Sequence, residues 1–146
     1  MPFEWKTLCC PIDFSEPARA ALELAVDLCN RLGADLVLLH VDTTGKLAEE
    51  RSSGEPIDVL LGAWEAEARR LGARQVTVQR TRGQPELAIV EHVRRRHIDA
   101  LVMGTHARTD REAMLTGSVT EGVVRNAPCP VVTVRGRPEA RAPDPT

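Results

Sequence analysis

The sequence predicts an α/β protein, an open five-stranded parallel sheet with helices on both faces and Rossmann-like winding. Short apolar runs of strand length alternate with amphipathic stretches of helical length all along the chain. Most of those runs are apolar at successive positions, as in parallel strands covered on both faces. At 146 residues the chain is long enough for one domain and one sizeable core.

Lys6 to Asp13 reads as the first strand, with Thr7, Leu8, Cys9, Cys10 and Ile12 nearly continuous in apolar character. Cys9 and Cys10 are adjacent and so point to opposite faces. Ser15 is a suitable N-cap for the helix that follows, Ala21, Leu24, Ala25, Leu28 and Leu32 fall at helical spacing, and Gly33 is the terminator. Leu36 to Val41 is the second strand, and His40 within it reads as a satisfied buried imidazole. From Asp42 to Glu55 periodicity is lost and a loop is expected. After Pro56, the positions Ile57, Leu60, Leu61, Trp64, Ala68 and Leu71 form one helical face that ends by Gly72, and Trp64 belongs to the core.

Gln75 to Thr81 alternates apolar and polar residues, the pattern of a half-exposed strand at a sheet edge. Gly83 to Pro85 turns into a third helix, with Leu87, Val90 and Val93 inward and Arg94, Arg95 and Arg96 at its end. Ile98 to Met103 is the fourth strand, a last helix is expected to start at Ser118 and finish by Pro128, and Val131 to Val134 is the fifth strand. Residues 136–146 are rich in proline and have little to bury, so a disordered tail is expected after a single domain spanning 1–135.

A net charge of −2 gives no footprint for nucleic acid, and the three arginines read as a solvated helix end favoured by the helix dipole. No apolar stretch approaches the ~20 residues of a membrane span, and the N-terminus does not read as a signal peptide, so a cytoplasmic protein is expected. The four cysteines lack the paired spacing of a zinc site.

Ala100 to Val124 is where chemistry is expected. A strand ends at Met103, the chain leaves through Gly104, crosses a polar segment with His106, Arg108 and Arg111, and reaches Gly117-Ser118. A strand–loop–helix passage of this kind points main-chain N–H groups and a positive helix end at one spot, which is how proteins hold phosphate. Arg108 and Arg111 read either as solvated or as phosphate contacts. Ser118-Val119-Thr120-Glu121 is also a capping box, so Ser118 reads equally as a helix start.

This segment resembles the nucleotide-binding signature of the universal stress protein family: Gly-x-x-Gly, nine residues, then Gly followed by Ser or Thr. Gly104 supplies the first glycine, Ala107 stands at the second, and Gly117-Ser118 closes the pattern; Asn126 to Val132 matches the family's last helix and strand. The resemblance implies the strand order 3-2-1-4-5, which periodicity alone does not choose over a flavodoxin-like order. It implies ATP, or AMP or ADP, with or without Mg2+, at the switch point between strands one and four. Pro11 and Asp13 would line the adenosine and the main chain of Val41 would meet the adenine. Met103, Gly104 and Ala107 would approach ribose and phosphates, and Gly117, Ser118 and Val119 would hold the phosphates. It further implies a homodimer through the strand 131–134.

The expected function is a nucleotide-dependent stress-response switch rather than an enzyme, with at most slow ATP hydrolysis. No P-loop is present and no lysine lies near the site. The alternative is a dimeric interaction module of the same fold that binds no nucleotide, motivated by Ala107 and by Asp110, which stands where many relatives have glycine. An adenine-nucleotide hydrolase of similar architecture is disfavoured, because its Ser-Gly-Gly-x-Asp-Ser loop is replaced here by Asp13-Phe14-Ser15.

Overall fold

The computed structural model describes residues 4–43, 56–105 and 111–136, excluding the side chains of 111–118. Its strands are β1 (Thr7–Pro11), β2 (Asp35–Asp42), β3 (Val76–Arg82), β4 (Ala100–Thr105) and β5 (Val131–Arg135). Its helices are α1 (Glu16–Leu32), α2 (Ile57–Arg70), α3 (Pro85–Arg96) and α4 (Arg111–Asn126). All five strands form one sheet in the order β3-β2-β1-β4-β5, and every pairing is parallel. The expected order is therefore realised, with β3 at one edge and β5 at the other.

Both faces of the sheet are covered, which explains the continuous apolar runs. Leu8, Cys10, Leu36, Leu38 and Val102 pack with Leu22, Ala25, Val26 and Cys29 of α1 and Leu61 and Ala68 of α2. Cys9, Val37, Leu39, Leu101 and Met103 face the other way, onto Ile89 and Val93 of α3 and Val123 of α4. Adjacent residues of one strand thus enter different halves of the core, as Cys9 and Cys10 do. Edge strand β3 is buried only at Val76, in keeping with its alternating sequence.

Local signals set the helix ends. The Ser15 side chain accepts the Ala18 N–H at 3.3 Å at the start of α1, and Gly33 closes that helix at φ +67°. Pro85 occupies the first turn of α3.

Strand ends shift by one or two residues, with β1 stopping at Pro11 and β4 continuing through Gly104 to Thr105, but the larger difference from expectation is in the last helix. The last helix begins at Arg111, not at Ser118, so Gly117-Ser118 lies within it and the Ser-x-x-Glu sequence is not a helix start. Glu112, Ala113, Met114 and Leu115 are strong helix formers, and their summed preference extends the helix past the local capping signal. The loop expected at 42–55 falls, from residue 44 on, outside the described residues. So do His106, Ala107, Arg108 and Asp110, and the tail from residue 137 onward.

Candidate functional site

The sheet opens at the carboxyl end of β1, and the reason is chemical. Ile12 donates its N–H to the Leu39 carbonyl at 2.8 Å, so the main chain of Ile12 faces β2 and that of Pro11 faces β4. Pro11 has no N–H to give on that side. The β1–β4 register covers only Leu8↔Ala100 and Cys9↔Leu101, and beyond it the two strands part. The strand order also reverses here, making this the topological switch point where open α/β sheets hold ligands.

On the β2 side the ladder runs as far as Pro11↔Leu39. By strand alternation, the N–H and C=O of Val41 point in the same direction as those of Leu39, toward space that β1 has left. A donor and an acceptor thus stand side by side at the edge of the opening.

Between the parted strands the chain makes a tight turn. The Asp13 carboxylate accepts the Ser15 N–H at 3.0 Å through Oδ1, and the Ser15 hydroxyl donates to the same oxygen. Asp13 Oδ2 has no partner among the described residues. Phe14 takes φ +65°, costly for a bulky side chain, and its ring is held 5.0 Å from the His40 ring and 5.7 Å from that of Trp64. Next comes the N-terminus of α1, whose positive end favours negative charge nearby. Across the opening, the buried Thr120 hydroxyl donates to the Gly104 carbonyl at 3.1 Å and ties α4 to the end of β4.

These elements line an open cleft whose empty space, continuous with solvent, is about 640 Å³. Of the residues named from sequence, Pro11, Asp13, Val41, Met103, Gly104 and Val119 line it together. Ala107 lies outside the described residues, and Gly117 and Ser118 are placed within α4. As helical residues, their N–H groups are directed along the helix to carbonyls four residues back. Ile12, Ser15, Ala18, Leu39, His40, Pro85, Ile89 and Thr120 also line the cleft, and the sequence does not assign them to the site. Ser15 was legible only as a cap and Ile89 was not read at all, while the turn Gly83-x-Pro85 that starts α3 was the available signal for Pro85.

His40 agrees with its sequence reading as a satisfied imidazole: its side chain is 12% exposed, and Nδ1 lies 3.2 Å from the Ile12 carbonyl. The described residues contain no cluster of three or more His, Cys, Asp or Glu suited to a metal. Burial pushes the thiols of Cys9 and Cys10 well up and that of Cys29 to about 11, so these cysteines stay protonated and are poor nucleophiles. No described helix is long and apolar enough to cross a membrane.

The model of the Universal stress protein family matches residues 4–135 of this chain. Universal stress protein MJ0531 of Methanocaldococcus jannaschii is 28% identical over 140 residues, covering 90% of this chain and 82% of that protein. Among solved structures, a universal stress protein in complex with cAMP superposes with a TM-score of 0.76 at 21% identity, covering 92% of this chain and 99% of the other. A universal stress protein from Archaeoglobus fulgidus in complex with dAMP gives 0.66 at 17% identity, with 90% and 98% covered.

Proposed function

The chain belongs to the universal stress protein family, and from that premise we propose that it binds an adenine nucleotide in the cleft between β1 and β4. ATP is the leading ligand, with AMP and ADP entering the same cleft, and Mg2+ would accompany the longer phosphates. Occupancy, not turnover, would be the signal in a cytoplasmic stress response, because the described residues of the cleft include no lysine or arginine to clamp a phosphoryl group in transfer.

The observation that carries this reading is the open main-chain edge of Val41 in the cleft that the Asp13 carboxylate also lines. An N–H and a C=O side by side complement the acceptor and amino donor on one edge of adenine. Asp13 Oδ2 can accept a ribose hydroxyl while Oδ1 holds the turn. The phosphates would then run past Met103 and Gly104 toward Ala107 and the segment Gly117-Ser118-Val119. That two proteins of the same fold are complexed with cAMP and dAMP, ligands with a single phosphate, supports an adenosine monophosphate unit as the shared part.

Titration calorimetry with AMP, ADP and ATP, with and without Mg2+, tests the proposal. Saturable binding of at least one is expected, and Asp13→Ala should weaken it by roughly tenfold or more, the scale of a hydrogen bond to a charged acceptor. No heat with any adenine nucleotide would sink the reading. A second reading, a dimeric interaction module without nucleotide, is favoured by one observation: α4 runs through Gly117 and Ser118, so a phosphate cradle of their N–H groups requires that turn to open. Stable dimers with no nucleotide binding would establish it.

A further inference from the structure

The Ile12 carbonyl should, by continuation of the β1–β2 ladder, accept the N–H of Val41, but among the described main-chain bonds that rung is not formed. The partner of this carbonyl is a side chain, His40, whose Nδ1–H donates to it at 3.2 Å. A carbonyl can only accept, so Nδ1 carries a proton, and because a carboxylate only accepts too, Asp42 holds the ring through a proton on Nε2. The imidazole has little room to move. Its Nε2 lies 3.3 Å from Asp42 Oδ1, and Asp42 is gripped by Arg80 through Nε at 3.2 Å and Nη2 at 2.9 Å. One face of the ring meets Phe14, which Trp64 backs in turn.

We propose that His40 is a positioning residue that keeps the ligand-reading edge of β2 open. By occupying the Ile12 carbonyl, it stops β1 from zipping onto β2 for one more rung. The N–H and C=O of Val41 are thereby left to a ligand instead of to Ile12. A buried carbonyl needs a donor, and without the imidazole the nearest one in register is the Val41 N–H. Asp42 and Arg80 hold the imidazole in the orientation that serves this purpose. The consequence for binding rests on the reading of the cleft as an adenine site; the open state of Val41 does not.

The test compares the full chain with His40→Phe, which keeps an aromatic ring against Phe14 but has no donor, and His40→Asn, whose amide places a donor near the Nδ1 position. Amide exchange at Val41, followed by NMR without ligand at fixed pH, is expected to be fast in the natural chain. It should slow by about tenfold or more in His40→Phe as the extra rung forms, and stay near natural in His40→Asn. AMP affinity by calorimetry should fall about tenfold in His40→Phe and change less than about threefold in His40→Asn. Equal Val41 exchange in the natural chain and His40→Phe overturns the proposal, as does unchanged AMP affinity in His40→Phe while the natural chain binds. If the natural chain binds no adenine nucleotide, the cleft reading fails and the exchange data alone judge His40. Should His40→Phe not fold, His40→Gln, which moves the donor to the Nε2 position, takes its place in both measurements.

Discussion

A β-carbon at position 104 would sit 2.1 Å from the carbonyl oxygen of Pro17, so glycine there is demanded by the first turn of α1 packing against the end of β4. The sequence reading assigned this glycine to ligand approach, and the packing supplies a sufficient reason of its own. Gly104→Ala is therefore expected to lose about 1–3 kcal/mol of stability without any ligand, the scale of an overpacked contact, measured by urea unfolding. His92 offers a second residue-scale test. It is buried, its Nε2 has no hydrogen-bond partner among the described residues, and burial first, then the charge of Arg96, holds its imidazole below the ordinary 6.5. As pH falls through about 6.5 the unfolded chain takes up a proton that folded His92 resists, so stability drops toward acid. His92→Leu should flatten the loss between pH 7.5 and 5.5 in urea titrations, and an unchanged slope would remove His92 from the account.

Elements were legible where periodicity and caps agree. Ser15 and Gly33 frame α1 as read, and the apolar runs at Leu8 to Cys10, Leu36 to Leu39 and Leu101 to Met103 are the three central strands. The alternation of Val76 and Val78 marked an edge because only one face of β3 is well covered. The start of α4 was misread because a capping sequence is a short-range preference, and the helix formers before it outweigh it. Within the candidate site, Pro11, Asp13 and Val41 came from a motif resemblance, whereas His40 could not be assigned a place in the cleft from sequence. Its contact with Ile12 joins residues of separate strands, and a strand's apolar pattern does not announce which polar side chain will cap a neighbouring carbonyl.

At the scale of the molecule, β5 is an edge of the sheet with no further strand beside it among the described residues. Leu101 donates to the Pro130 carbonyl and Gly136 to the Thr105 carbonyl, so the even-numbered residues of this strand face β4 and Thr133 directs its N–H outward. If two copies pair through this edge, Thr133→Pro removes an outward donor and leaves the β4 ladder intact. Monomers in sedimentation are the expected outcome, and an undisturbed dimer would move the interface elsewhere. The opposite side of the sheet carries a different device. Arg80 on β3 grips Asp42, at the end of β2, and with Nη1 also holds Asp58 of α2 at 2.7 Å. One guanidinium thus pins both ends of the intervening segment to the same spot, whatever lies between them. The ring-closure entropy of a loop rises only by about 0.6 kcal/mol for each doubling of its length. A protein engineer seeking a place to splice in a peptide tag or a small reporter would find the insertion point there, its two ends already stapled to the sheet.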